Sequence, residues 1–464
     1  VTRLLIIGGS DAGISAGLRA REVDPGVTPL LIVADSYPNY SICGIPYHIS
    51  GDVPDWRDLA HRTRADLEEA GLRLLLDTRA TSIDPDARQV TVATADGRSR
   101  RLDYDNLVIG TGAEPVRPPI AGLDALGPAD GVHVLHTMGD TRDLTGTLDT
   151  DPRNALIVGA GYIGLEMAEA LTDRGLRVTV VEQQQQVLPT VDADLATLVA
   201  DELGRHDVEV HTGVSVTAID RNGEHGLAVT GRRGDDPTTP FTATVDLVLL
   251  VVGVRPDTTL AQTAGVDLGV RGAIAVDRQM GTTVPGIWAA GDCVHTYHRV
   301  LSTDAYLPLG STAHKQGRVA GENALGGQRA FAGSVGTQVV KVFDLVAART
   351  GLRDAEATRA GFRPASHRTT ADDHNAYYLG ARPIAVTVTG DAQTGRLLGA
   401  QLIGHRDTAV AKRVDTYATA LHHGMNVGQI SDLDLSYTPP LGSPYDAVQI
   451  AAHEWVLRHR RSAV

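Results

Sequence analysis

At 464 residues, 42% of them hydrophobic, the chain is long enough for about two to four domains, each with an ordinary core. Its formal charge of −14, with no basic run beyond the tail Arg458-His459-Arg460-Arg461, argues against nucleic acid or any other extended polyanion as a partner. Two cysteines exclude a disulfide framework and point to the cytoplasm, and no apolar run approaches the ~20 residues of a membrane span.

The first stretch, "LLIIGGSDAGISAGLRAREVDPGVTPLLIVAD", predicts a buried strand, a glycine turn, an amphipathic helix and a second strand ending in an acid. Gly8, Gly9 and Gly13 form the turn, with Ser10 at the middle-glycine position and Asp11 and Ala12 opening the helix. Asp35, followed by Ser36, lies close to the ~20-residue separation at which a carboxylate accepts hydrogen bonds from a ribose. Glycine there lets the backbone approach a pyrophosphate, whose charge meets the free amides of the helix start.

Next comes "SICGIP", which puts Cys43 in a Gly/Pro-rich turn flanked by Tyr40 and Tyr47. A thiol between a nucleotide-binding strand and the following helix is placed to react, the amide-rich start of that helix favouring its thiolate, and an inert small hydrophobe is the plainer alternative. "YDNLVIGTGAEPVRPP" (104–119) predicts a strand, a turn at Thr111-Gly112 and a proline-punctuated crossing between domains.

The first pattern then recurs as "NALIVGAGYIGLEMAEALTDRGLRVTVVE". Gly159, Gly161 and Gly164 make its turn, Tyr162 and Ile163 open its helix, and Glu182 ends its second strand. Two dinucleotides are implied. Glu182 favours NADH over NADPH, because a carboxylate accepts from two ribose hydroxyls and repels a 2′-phosphate. Gly253, in the return to the first unit, is a further cofactor-binding candidate, and "VPGIWAAGDCV" delivers Gly291 and Asp292 at a strand end, where an acid suits a polyol hydroxyl or caps a loop.

After about residue 327 strands of period two appear, "RPIAVTVTG" and "GRLLGAQLIG" around the turn Asp391–Gly395, followed by the helix "DTAVAKRVDTYATALHHGM". This part has no phosphate turn and is assigned to assembly and to completing a site. The expected fold is therefore α/β, with two Rossmann-like domains, residues 1–113 with 251–326 and residues 114–250, and a C-terminal α+β domain at 327–464.

On these stretches the chain resembles the flavin-dependent pyridine nucleotide-disulfide oxidoreductases over essentially its whole length. Within them it is most similar to the one-cysteine branch of coenzyme A disulfide reductases, NADH oxidases and NADH peroxidases. The matching residues are Cys43-Gly44-Ile45-Pro46-Tyr47, Gly159–Glu166 (GAGYIGLE), Ala289–Cys293 (AAGDC), His314–Arg318 (HKQGR) and "LSYTPPLGSPYD".

The resemblance implies FAD on the first unit, NADH on the second with NADPH as an alternative, no metal, and a homodimer built through the C-terminal domain. It implies an enzyme in which Cys43 is the redox centre, reducing a small-molecule disulfide or persulfide, coenzyme A-derived or not. An NADH oxidase using a Cys43 sulfenate and a reductase of a ferredoxin-like carrier are the alternatives. By the same resemblance Tyr437 and either Tyr377 or Tyr378 reach the partner subunit's redox sulfur, so that the active sites are shared.

Lys315 and Glu166 fall in motifs near the flavin and nicotinamide, or else form an interdomain ion pair. Asp11 stands where oxidase and peroxidase relatives carry a histidine, and tunes the sulfur, touches substrate or faces solvent. Glu22 stands where coenzyme A-binding relatives can present a basic residue to phosphate, leaving Arg19 and Arg21 as candidate phosphate contacts.

Overall fold

Two parallel five-stranded sheets repeat one plan. In the first the spatial order is Ile287–Ala289, Asn106–Ile109, Leu4–Ile7, Leu30–Ile32, Arg73–Leu75. In the second it is Glu209–Thr212, Arg177–Glu182, Asn154–Val158, Leu247–Leu250, Val132–Val134. All neighbouring strands in both are parallel. All four residues of Leu4–Ile7 are buried, as in a strand covered on both faces, which explains its continuous apolar run. Each glycine turn leaves the C-terminal end of a central strand where the strand order reverses, the place at which open α/β sheets bind ligands. The computed structural model describes residues 2–223, 226–234 and 238–459; Arg460 and Arg461 of the basic tail lie outside them.

The second unit is entered and left through a two-stranded antiparallel ribbon, Ala113–Pro115 against Val254–Pro256. Val116 N–H donates to the Gly253 carbonyl at 2.9 Å there. The expected crossing after Gly112 is thus one of a pair.

The last part of the chain is a five-stranded antiparallel sheet ordered Gln338–Val342, Leu345–Gly351, Leu397–His405, Pro383–Asp391, Pro364–Asp372. The two strands read from period two pair as a hairpin, with Val386 opposite Leu402. The helices Val410–His422 and Ala447–His459 cover the sheet, tied by Tyr417 Oη to the Val448 carbonyl at 2.9 Å and Trp455 Nε1 to that of Ala365 at 2.7 Å.

This domain is bonded to the second Rossmann unit. Tyr162 Oη donates to Gln338 Oε1 at 2.7 Å, and Arg349, paired with Glu356, donates to the Thr190 carbonyl at 2.7 Å. Asp192 and Gln401 exchange two hydrogen bonds of 2.7 Å. Among the described residues no helix is long and apolar enough to cross a membrane.

Candidate active site

The first glycine turn is built for close approach. A Cβ on Gly8 would meet the Gly110 carbonyl oxygen at 2.1 Å, and one on Gly13 would meet that of Gly8 at 2.2 Å. Ser10 makes no side-chain cap, so the amides opening the helix Asp11–Val23 are left for a ligand. Gly9 backs onto Val33, and Ala12 packs beneath Gly291, where a Cβ would come within 2.9 Å of Ala12 Cβ.

Two acids face this turn. Asp35 is solvent-exposed, accepts from Tyr37 N–H at 2.8 Å, and has its carboxyl pushed up mainly by burial of its surroundings; its neighbour Ser36 donates to Asp77. Asp292 is pushed up to about 6, by burial first and by Asp11 second, and its carboxyl has no hydrogen-bond partner among the described residues. Thr111 Oγ1 donates to the Asp257 carbonyl at 2.6 Å, and the Gly112 carbonyl accepts from Asp257 N–H, closing the rim. Bare amides for a pyrophosphate and two acids for polyol hydroxyls fit FAD.

Cys43 lies in the short 3-10 turn Ile42–Gly44 and faces solvent. The helix that follows, Ile45–Ser50, packs on the helix Tyr162–Asp173 of the second unit, and Ile45, Ile49 and Leu59 share a core with Ile157 and Leu165. The turn is therefore wedged between the two nucleotide-binding units. Tyr40 stacks on Trp56 at 5.6 Å between ring centroids, with Tyr37 edge-on to both.

The electrostatics differ from the sequence expectation that the helix start would favour a thiolate. The Cys43 thiol is pushed up, first by the protein packed behind it, then by Glu166, Asp11 and Asp292. The chain alone therefore holds Cys43 as a thiol. The other cysteine, Cys293, is fully buried and pushed up to about 11 by that burial.

Asp11 is paired with a residue that local sequence does not reveal. His314 Nε2 lies 3.3 Å from its Oδ1, and the other ring nitrogen of His314 lies 2.9 Å from Ser15 Oγ. A histidine thus stands at the position-11 carboxylate, delivered by the helix Gly310–Asn323. Farther along the same two helices Arg19 bonds Glu22 at 2.7 Å and Glu322 at 2.9 Å, while Arg318 grips both oxygens of Glu22 at 3.0 and 2.9 Å. Arg21 is spent on the carbonyls of Ala70, Pro25 and Val27. Both arginines offered by sequence as phosphate contacts are engaged, because their nearest acceptors are the chain's own.

In the second unit Gly164 repeats the part of Gly13, its Cβ meeting the Gly159 carbonyl oxygen at 2.0 Å, and Gly161 is open on that side. Glu182 is buried and accepts Ala160 N–H and Gln184 N–H, both at 2.8 Å, so it pins the glycine turn and retains lone pairs for a ribose. Tyr162 is turned toward the C-terminal sheet through Gln338, beside Ile163.

Glu166, one turn farther along that helix, is pushed up to about 7 by burial and then by Glu169. Glu169 itself is engaged by Lys341 and Phe343 N–H. Lys315 is exposed, next to His422 in charge, and makes no ion pair with Glu166.

The tyrosines separate. Asn375 Nδ2 donates to Tyr437 Oη at 3.1 Å and to Tyr377 Oη at 3.3 Å, while Tyr378 lies edge-on to His374. Tyr377 is 74% exposed, Tyr437 47% and Leu441 79%, an uncovered patch on the C-terminal domain. None of them bonds to Cys43 within one chain.

Sequence reasoning missed His314 as the partner of Asp11, and Gln316. Gln316 is fully buried, accepts Gly291 N–H at 3.0 Å and donates to Thr296 Oγ1 at 3.0 Å, fixing the turn that carries Asp292. Its motif was legible; its task was not, because the turn it serves lies on a different element.

Comparison with known proteins agrees with this geometry. The pattern of the family described as "Pyridine nucleotide-disulphide oxidoreductase" matches residues 2–317, and that family's dimerisation domain matches 337–446. The chain is 31% identical over 456 residues to a protein of Methanocaldococcus jannaschii named NADH oxidase, covering 97% of this chain and 98% of that one. It is 30% identical over 460 residues to the CoA-dependent NAD(P)H sulfur oxidoreductase of Pyrococcus furiosus, with 97% and 98% covered. The solved NAD-dependent persulfide reductase from A. fulgidus superposes with a TM-score of 0.92 at 33% identity, covering 99% of this chain and 84% of that one.

Proposed function

This chain belongs to the pyridine nucleotide-disulphide oxidoreductase family, and from that premise we propose that it reduces a small-molecule disulfide or persulfide with NAD(P)H, through FAD and Cys43. The observation that carries the reading is the contrast between its two thiols: Cys43 is exposed between the nucleotide-binding units, and Cys293 is sealed in a core. The relatives named for sulfur and persulfide reduction support it.

We assign FAD to the turn Gly8–Gly13 with Asp35, Asp292 and Lys315, and the nicotinamide nucleotide to the turn Gly159–Gly164 with Glu182. The domain partition read from sequence goes with this assignment, the second unit being inserted in the first.

FAD, when bound, relays two electrons between the nicotinamide and sulfur. The chain's own part is nucleophilic. The Cys43 thiolate attacks one sulfur of RS–SR′, the S–S bond breaks, and R′S⁻ leaves and takes a proton. Two-electron reduction of the resulting Cys43–S–S–R bond restores the Cys43 thiolate and releases RS⁻, which takes the second proton. Each disulfide thus consumes one NAD(P)H and one further proton and yields two thiols. Glu166, with its carboxyl near neutrality, holds a proton within electrostatic reach of the sulfur, and in its neutral form stops opposing the thiolate.

The dimerisation domain indicates a homodimer. Within it, we take the Tyr377–Asn375–Tyr437 group of one subunit to close over Cys43 of the other, where a phenol can donate a hydrogen bond to the departing thiolate. A water-forming or peroxide-forming NADH oxidase is the second reading, favoured by the name of the M. jannaschii relative.

The test is the Cys43→Ser holoenzyme. NADH should still bleach its flavin while disulfide and persulfide reduction are lost, and full activity in that variant would refute the reading. Fast oxygen uptake with NADH alone in the parent enzyme would move the assignment to the oxidase.

A further inference from the structure

The helices Asp11–Val23 and Gly310–Asn323 lie against each other with no bulk between them. A Cβ on Gly317 would meet the Ala12 carbonyl oxygen at 2.2 Å, and one on Gly321 that of Ala16 at 2.1 Å. Their shared outer edge starts at Asp11, whose charge reaches Cys43, with His314 beside it, and runs to Arg19, Glu22, Arg318 and Glu322. From Asp11 to Glu22 the helix rises about 16 Å at ~1.5 Å per residue, the span of a long thiol arm laid along the seam with its sulfur at Cys43.

A phosphate at the far end of such an arm would look for guanidinium groups, and the seam has two there. Both are already closed. Arg318 holds Glu22 with two parallel hydrogen bonds of 3.0 and 2.9 Å, the bidentate geometry a phosphate would otherwise occupy. Arg19 is divided between Glu22 at 2.7 Å and Glu322 at 2.9 Å, and Glu322 also meets Arg329 at 3.4 Å. Hydrogen bonds from Arg318 and then Arg19 hold the Glu22 carboxyl at about 2, so the pairing persists at any working pH. At the near end the Asp11 carboxylate lies within electrostatic reach of the sulfur. A phosphate at the far end meets the Glu22 carboxylate and finds neither Arg19 nor Arg318 free.

We propose that the thiol arm received on this seam carries no phosphate: the substrate is the disulfide or persulfide of a low-molecular-weight thiol uncharged along its length, and Glu22 is the residue that turns away phosphate-bearing thiols such as coenzyme A. This rests on the disulfide-reductase reading above.

The experiment compares the FAD-loaded enzyme on pantethine and on coenzyme A disulfide, the same disulfide with nucleotide phosphates added. The parent enzyme should show the higher kcat/KM for pantethine. In Glu22→Lys, and more weakly in Glu22→Gln, the ratio of coenzyme A disulfide to pantethine should rise at least tenfold, with pantethine turnover little changed. A tenfold preference for coenzyme A disulfide in the parent enzyme, abolished by Arg19→Ala or Arg318→Ala, would overturn the proposal. If NADH bleaches the flavin yet neither disulfide is reduced, the disulfide-reductase reading itself falls and takes the proposal with it.

Discussion

His314 Nε2 lies 3.3 Å from Asp11 Oδ1, so the carboxylate nearest the start of the first glycine-turn helix carries its own histidine partner. The charge that Asp11 presents to Cys43 then depends on His314. Replacing Asp11 by Asn should lower the Cys43 thiol pKa, because it removes a like charge that opposes the thiolate. His314→Ala should move it the other way, by unmasking the carboxylate. The pH dependence of Cys43 alkylation by iodoacetamide reads both; a midpoint unmoved in either variant removes the pair from the tuning of the sulfur.

Glu166 predicts a pH-dependent stability of defined sign. Its carboxyl is raised in the fold, to about 7, so between an unfolded value near 4.5 and that value the folded chain binds the extra proton. Stability therefore falls as pH rises across that window. Glu166→Gln should gain on the parent enzyme by on the order of 2 kcal/mol between pH 5 and pH 8, read by denaturant unfolding at the two pH values. Parallel stability curves for the two proteins would show that burial does not perturb this carboxyl.

The shared-site reading is testable by complementation. Cys43→Ser and Tyr437→Phe homodimers should each be poor disulfide reductases. Mixed and allowed to exchange subunits in equal amounts, they should recover about a quarter of parental turnover, because half the dimers are mixed and each mixed dimer has one intact site. No recovery, with subunit exchange verified by mass, would place Tyr437 outside the other subunit's site.

The parts of this molecule legible in its sequence are those that backbone geometry dictates. Gly13 and Gly164 are glycines because a Cβ would strike a carbonyl two ångströms away, so both turns announce themselves. The hairpin around Asp391–Gly395 and the crossing after Gly112 followed from turn chemistry and period two.

What was not legible depends on pairs that only the fold brings together. Glu22 and Arg318 stand 296 positions apart, and nothing local says that a second arginine, from another helix, holds Glu22. Glu182 reads as a ribose acceptor, and its second task, pinning Ala160, follows only from the parallel pairing of the two strands. Tyr377 and Tyr378 are adjacent in an irregular segment, where no periodicity says which one turns toward Tyr437. The thiol of Cys43 was expected to be acidic from its place before a helix; burial by the protein packed behind it, and after that three carboxylates from separate elements, reverse that sign.

The most direct measurement is peptide-resolved mass spectrometry of the NADH-reduced holoenzyme, quenched after one equivalent of substrate disulfide. One thiol adduct, removable by reductant, is expected on the peptide that contains Cys43, and none on Cys293. Disulfide turnover with Cys43 unmodified at every quench time, or an adduct confined to Cys293, would contradict it.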